Sequence, residues 1–311
     1  MYENLIVITR KTRLQELISR FNTRAQAKFY IEHSGGNFAD YDQEHENYKR
    51  AEEAVQKSVP DSLKVQFIEQ EFVSNFVFGG SDVIAVLGQD GLVANTAKYV
   101  GDQPIIGINP DPSRYDGILV PNHVNQLRSA LDAVLGNRAI IKDVTLARAE
   151  LNDGQQLLAL NDLFIGARSH VSARYRLELG DRAEQQSSSG ILISTGAGST
   201  GWLSSVFNMV HSVSEFLGQA CTEKVKLSWD DPALVFVVRE PFISKHSEAA
   251  LVAGILNSGR KLVIESRMAS EGTIFSDGIE SDFLPFNAGS IATISAAPNK
   301  AKLVTGFHRQ K

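Results

Sequence analysis

Apolar residues follow two different grammars along this chain, and the change between them near Arg138 divides the sequence. In the first part, short apolar runs alternate with stretches of helical spacing. Leu5 to Ile8 reads as a strand, followed by Thr12 as a cap for a helix that presents Leu14, Leu17, Ile18 and Phe21. Ser34-Gly35-Gly36-Asn37 breaks the chain, and His45 to Val59 keeps Tyr48, Ala51, Val55 and Val59 near one face, which predicts a surface helix. Pro60-Asp61 stops it, and Val65 to Ile68 supplies another strand. Gly79-Gly80-Ser81 leads into Val83 to Leu87, an uninterrupted apolar run of the kind buried on both faces of a parallel sheet. A helix over Ala94 to Val100 and a strand over Ile105 to Ile108 follow. Val124, Leu127, Leu131, Val134 and Leu135 then form one stripe that ends at Gly136. Strands alternating with helices predict a layered parallel sheet.

After Arg138 the pattern is that of hairpins. Ile140 to Leu151, Asn152-Asp153-Gly154 and Gln156 to Leu160 read as two antiparallel strands with a tight turn. Tyr175 to Leu179, Gly180-Asp181 and the polar strand after them repeat the form, with further strands at Leu234 to Val238, Leu262 to Ser266 and Thr273 to Phe275. One helix, about Trp202 to Leu217, interrupts them. The expected architecture is an N-terminal α/β domain over 1–137 and a β-rich, mostly antiparallel domain over 138–311, with the last strand free to return to the first domain.

Composition narrows the class. Of 311 residues, 43% are hydrophobic and 22% charged, values of a folded globular protein long enough for about two domains. A net charge of -5 gives no surface for the nucleic-acid backbone, which needs clustered Lys and Arg. Cys221 is the only cysteine, so no intrachain disulfide forms; a small buried apolar role and a reducing, cytoplasmic compartment are expected. No apolar run reaches the roughly 18 residues that a membrane span needs.

Candidate chemistry begins where the run Val83 to Leu87 empties into Gly88-Gln89-Asp90-Gly91. Two glycines bracketing a carboxylate at the carboxyl end of a parallel strand suit a phosphate-binding turn, since ligands dock at that edge and the amides opening the next helix, from about Val93, favour an anion. An ordinary turn with Asp90 as helix cap is the equal alternative. Ile105 to Ile108 also ends at that edge, in the rigid loop Asn109-Pro110-Asp111-Pro112. Gly196-Ala197-Gly198-Ser199-Thr200-Gly201 satisfies the G-x-G-x-x-G pattern of dinucleotide sites. Hairpins precede it, however, and the nearest acid ending a strand, Glu240, is too far along for a Rossmann unit. Asn161-Asp162 offers amide and carboxylate groups suited to ribose hydroxyls. The seven histidines show no metal-ligand spacing and read as solvated surface groups.

Taken in order, Gly88-Gln89-Asp90-Gly91, Ile106-Gly107-Ile108-Asn109, Asn161-Asp162, Ser194 to Thr200 and Asp277-Gly278 resemble the motifs of the NAD kinases. The likeness is nearest to the mitochondrial-type branch, through Gly107 to Pro112, Asn161 to Gly166, Ser188-Ser189-Gly190 and Arg239-Glu240-Pro241, and it runs from about Asp82 to Val304. It implies a Rossmann-like N-terminal domain, a β-rich C-terminal domain, ligands bound between them, and a homodimer or homotetramer. It also implies ATP-dependent phosphorylation of NAD at the adenosine 2′-hydroxyl, with Mg²⁺ carried on the ATP. By matching, Asp90 is the base or orienting group, with Gly88, Gln89, Gly91 and Asn109 near the phosphates. Asn161, Asp162, Thr195, Gly198, Ser199, Thr200, Gly201, Trp202 and Ser205 hold NAD.

The sequence departs from the family pattern at Gln89, where a second glycine is usual, and at Leu92, where a threonine is usual. Asp162 shortens a Glu, Ser189 replaces an Asp of most bacterial members, and Ile279 stands where many have Gln. Other readings are a catalytically silent nucleotide binder, a lipid kinase sharing the glycine-bracketed aspartate, and a Rossmann dehydrogenase.

Overall fold

The computed structural model describes residues 2–219 and 225–307 and separates into two compact units, 1–142 with the end of the chain from Lys302, and 143–301. Cys221 and His308 lie outside the described residues.

Unit 1 contains β1 (Asn4–Thr9), α1 (Arg13–Phe21), α2 (Arg24–His33), α3 (Phe38–Ser58), β2 (Lys64–Glu69), β3 (Asp82–Leu87), α4 (Asp90–Ala97), β4 (Pro104–Asn109), the short β5 (Asn122–His123) and α5 (Leu127–Leu135). The strands lie in the order β4-β3-β1-β2, all parallel. Every residue of β3 and β4 is buried, as their unbroken apolar runs require. α1 starts at a capping box: the Thr12 hydroxyl accepts from the Gln15 amide, and the Gln15 side chain accepts from the Thr12 amide.

Two helices differ from the sequence reading. α3 begins at Phe38, seven residues before His45, because Asn37 caps it by accepting from the Ala39 amide. α2 was not predicted at all: only Ala27 and Ile31 are buried, a stripe too narrow to register as amphipathic.

β6 (Ala139–Leu151) carries the chain out of unit 1 and forms the expected hairpin with β7 (Gln156–Ala159). Unit 2 continues with β8 (Asp162–Ala167), β9 (Ala173–Leu179), β10 (Arg182–Ser188), β11 (Ile191–Ser194), α6 (Trp202–Phe216), β12 (Leu234–Val238), β13 (Ala253–Leu256), β14 (Leu262–Ser266), β15 (Gly272–Ser276) and β16 (Ile279–Pro285). One antiparallel sheet runs β13-β12-β11-β8-β15-β16. The other sets β10, β9 and β14 beside the first part of β17 (Ile291–Phe307). Leu163, Ile165, Ile193 and Phe236 from the first sheet share one core with Tyr175, Leu177, Ile264 and Ile294 from the second. The end of β17 belongs to unit 1, where Lys302 and Leu303 pair in parallel with Pro104 and Ile105 of β4.

Candidate functional site

In unit 1, β3 delivers Gly88 to the carboxyl edge of the sheet, and α4 starts at Asp90, three residues before the expected Val93. The difference arises at Gln89, whose extended backbone (φ -106°, ψ 172°) makes it the N-cap, without a side-chain hydrogen bond. The first amides of α4 are left uncapped by any side chain, which favours an anion in front of them. Neither Gly88 nor Gly91 takes a left-handed φ, so these glycines supply space rather than a turn. A Cβ at Gly88 would come within 2.6 Å of the Leu92 Cδ2, whereas Gly91 faces open space.

Asp90 does not cap its helix. Its two carboxylate oxygens accept from the Ile118 amide at 3.0 Å and the Leu119 amide at 2.8 Å. Those amides belong to the loop after β4, which is fastened along its length. The Asn109 side chain donates to the Tyr115 carbonyl at 2.7 Å and accepts from the Asp111 amide at 3.0 Å, so it shapes the loop. The buried Asp111 carboxylate accepts from Asn47 of α3 at 2.7 Å and from Ser113. Burial opposes its charge, but those bonds and the nearby Arg114 guanidinium hold it below the ordinary carboxylate range. Arg114 pairs with Asp40 at 2.7 Å, and Asp40 also accepts from Arg13 at 2.8 Å. A Cβ at Gly107 would overlap the Leu119 carbonyl, so glycine there lets the loop lie on β4.

In unit 2, the turn between β7 and β8 holds Asn161 and Asp162. Asp277, at the end of β15, accepts from the Leu160 amide at 3.0 Å and the Asn161 amide at 2.7 Å, and donates its own amide to the Asp162 carbonyl. The turn is also tied to the glycine-rich loop: the Thr195 amide donates to the Asn161 carbonyl at 2.9 Å, and the Thr195 hydroxyl to the Leu160 carbonyl. Asn161, Asp162, Thr195 and Gly198 are thereby brought together, with the backbone of the turn fully engaged. The side chains of Asn161 and Asp162 make no hydrogen bond among the described residues. Ser199 turns inward to the Gly196 carbonyl at 2.7 Å, Thr200 and Gly201 are exposed, and Trp202 and Ser205 lie in the first turn of α6. Asp277 is the residue whose role sequence reading missed: it was matched as a motif, but its function is to hold the 160–162 turn.

No family model matches the chain. It is 31% identical to an NAD kinase from Clostridium kluyveri over 145 residues, 44% of this chain and 50% of that protein. The chain therefore spans about half the length of the curated relatives it matches there. A longer match, at 23% identity over 325 residues, covers 80% of the chain and 73% of the mitochondrial NAD kinase 2 of Rattus norvegicus. The fold matches the crystal structure of an NAD kinase from Archaeoglobus fulgidus in complex with ATP with a TM-score of 0.58, at 16% identity, over 97% of this chain and 94% of that one. The chain is similar in sequence to NAD kinases, and it shares the fold of a solved NAD kinase.

The fold also accounts for the glycine pattern. β11 lies antiparallel to both β8 and β12, so the Gly196 to Gly201 loop is not part of a parallel β-α-β unit, and the dehydrogenase reading falls. The glycines answer to the protein itself: a Cβ on Gly196 would overlap the Ser228 carbonyl, and one on Gly198 the Asn161 carbonyl. Among the described residues no group of three or more His, Cys, Asp or Glu could hold a metal ion, and no helix is long and apolar enough to cross a membrane.

The electrostatics of this turn give a stability prediction. Burial, and then the charge of Asp277, push the Asp162 carboxyl up to about 7 from its ordinary 3.8. Between those two values the folded protein keeps a proton that the unfolded chain has released, so stability is lost as pH rises across that window. Asp162→Asn is therefore expected to raise the melting temperature at about pH 8 and to leave it nearly unchanged near pH 4. An equal gain at both pH values would show that the carboxyl is not strained by its setting.

Proposed function

We propose that this protein is an ATP-dependent kinase that transfers a phosphoryl group to the adenosine 2′-hydroxyl of NAD, giving NADP. The observation that carries the reading is the pair of polar side chains at Asn161 and Asp162. They have no partner among the described residues, yet they stand on a turn fixed by Asp277 and Thr195. A rigid backbone presenting unengaged amide and carboxyl groups is the arrangement that grips ribose hydroxyls without reorganisation. Gly198, Ser199 and Thr200, with Gly201, Trp202 and Ser205 at the start of α6, line the same ligand.

Phosphoryl transfer asks the protein mainly for positioning and neutralisation of charge. The open amide end of α4, with Gly88, Gln89 and Gly91, suits the phosphates of the donor, and Asn109 acts by shaping the loop. Asp90, held by two amides, has the remaining lone pairs of its carboxylate to accept a proton or orient the hydroxyl. Mg²⁺ would be carried by the ATP phosphates and would neutralise their charge.

One observation favours a second reading, a silent NAD-binding protein: Leu92 fills the space beside Gly88 in the altered phosphate loop. Incubation with Mg·ATP and NAD, with NADP read by a coupled NADP-dependent dehydrogenase, separates the two. NADP formation supports the kinase; calorimetric binding of NAD without turnover supports the silent binder. Asn161→Ala is expected to weaken NAD binding by about 1–3 kcal/mol. Unchanged affinity by calorimetry would remove Asn161 from the site. A cytoplasmic homodimer or homotetramer completes the proposal, its mass to be read by light scattering.

A further inference from the structure

A second cavity of unit 2 lies where β10, β9 and the end of β14 run side by side. Tyr175 and Leu177 of β9 point into the core shared by the two sheets, so Arg174 and its cross-strand partner Ser187 of β10 point to the opposite face, as does Gln185. Arg267, one residue past β14, joins them by donating its amide to the Arg174 carbonyl at 2.8 Å. The segment 242–248 runs beside β10 and is tied to it at both ends. The Phe242 amide donates to the Ser187 carbonyl at 2.8 Å, and the Glu248 amide to the Gln185 carbonyl at 2.9 Å. Between these ties the Ser247 hydroxyl donates to the Phe242 carbonyl at 2.6 Å, which fixes the bulge that carries His246. The strands and the segment border a cavity of about 280 Å³, with Arg174, Gln185, Ser187, Phe242, His246 and Arg267 in its lining. That volume is just below the range of roughly 300–1,000 Å³ usual for drug-sized ligands, so it suits a smaller one.

The charges around the cavity do not cancel. None of its lining residues is an Asp or a Glu. Arg267 is paired with Glu265 at 3.1 Å, and Arg176, two residues along β9, is paired with Glu178. Arg174 has no ion pair and no side-chain hydrogen bond among the described residues, and the same is true of the Ser187 hydroxyl, the Gln185 amide and the His246 ring. Two arginines held opposite each other on adjacent strands repel, and an anion between them removes that cost. The form of the anion follows from where the donors stand. A flat carboxylate is satisfied by one guanidinium fork, whereas the groups here come from three neighbouring stretches of the sheet and from the segment 242–248 as well, the spread that a tetrahedral oxyanion uses. Phe242, 65% exposed, adds an apolar surface for any carbon attached to that anion.

We propose that this cavity binds a phosphate group, free or carried on a small ester, with Arg174 as its principal ligand and Ser187, Arg267 and His246 as further donors. The site uses none of the residues of the 160–162 turn or of the glycine-rich loop, and it stands whether or not the kinase reading does. Its segment is held by main-chain bonds at both ends, so the donors are in place before the anion arrives.

The test is a calorimetric titration of the full chain with glycerol 3-phosphate, inorganic phosphate and citrate. At least one of the two phosphates is expected to bind with a Kd below about 1 mM. Tighter binding of glycerol 3-phosphate assigns the site to an ester, and equal or tighter binding of inorganic phosphate assigns it to the free ion. Arg174→Met should weaken that binding about tenfold or more, because it removes charged hydrogen bonds, while leaving the melting temperature of the unliganded protein nearly unchanged. Ser187→Ala, a smaller change, should weaken it a few-fold. Saturating NAD should leave the phosphate bound. Affinities unmoved by both variants overturn the proposal, as does displacement by NAD, which would put the phosphate in a nucleotide site. Citrate binding as tightly as the better phosphate also overturns it, and so does the failure of both phosphates to bind.

Discussion

Asp90→Asn is expected to lower turnover by about 10²- to 10⁴-fold at saturating Mg·ATP while changing the affinity for NAD little, because the amide keeps the shape of the carboxylate but accepts a proton poorly. The structure adds a second cost. Both oxygens of Asp90 accept backbone amides, from Ile118 and Leu119, and an asparagine can satisfy only one of them. Its own NH₂ would face the other N–H, a clash of donors worth about 1–3 kcal/mol if the pair stays out of water. Steady-state kinetics and thermal unfolding of the same variant separate the two effects. A variant that loses stability but keeps wild-type turnover would make Asp90 a loop anchor and nothing more.

The second large effect is expected at Gly198. An added Cβ would overlap the Asn161 carbonyl, and the Ser194 hydroxyl lies 2.8 Å from the same point, so neither side can yield without moving backbone. Gly198→Ala should destabilise unit 2 by about 1–3 kcal/mol or more, as overpacking in a close-packed site does. At about 2–4 °C per kcal/mol for a domain of this size, the shift is readily seen by calorimetry. NAD binding should fall with it, because the displaced groups carry Asn161 and Thr195. Gly91→Ala is the control, since its Cβ would meet nothing within 4 Å and a change at such a surface position stays within about 0.5 kcal/mol. Similar melting temperatures for the two variants would refute the packing account of the glycine-rich loop.

Local signals in the sequence were strong where local physics decides the outcome. The unbroken run at Val83 to Leu87 became the buried β3, and Asn152-Asp153-Gly154 became the turn between β6 and β7. The Thr12 cap and the helix from Trp202 follow for the same reason. What stayed hidden depends on partners distant along the chain. Asp90 and the amides that hold it are 28 and 29 residues apart, and Asp277 reaches the 160–162 turn across more than a hundred. The resemblance sets Asn109 near the phosphates, whereas its bonds to Asp111 and Tyr115, which shape the loop, become legible only once that loop is folded. The glycine pattern at 196–201 is ambiguous for a related reason: a glycine that clears a path for a ligand and one that clears a path for a carbonyl are the same letter.

The loop that holds Asp90 does so through N–H groups alone, and this changes what evolution can alter there. The Ile118 side chain is 64% exposed and takes no part in the contact, so the residue type at 118 is open to drift, whereas Leu119 is also held by its own burial. Chain length and main-chain chemistry are not: a proline at either position deletes a donor, and one residue inserted between Asn109 and Gly117 moves both donors out of register. Selection on this loop should therefore appear as a ban on insertions and prolines around a variable position 118, a constraint that comparison of side chains alone would overlook.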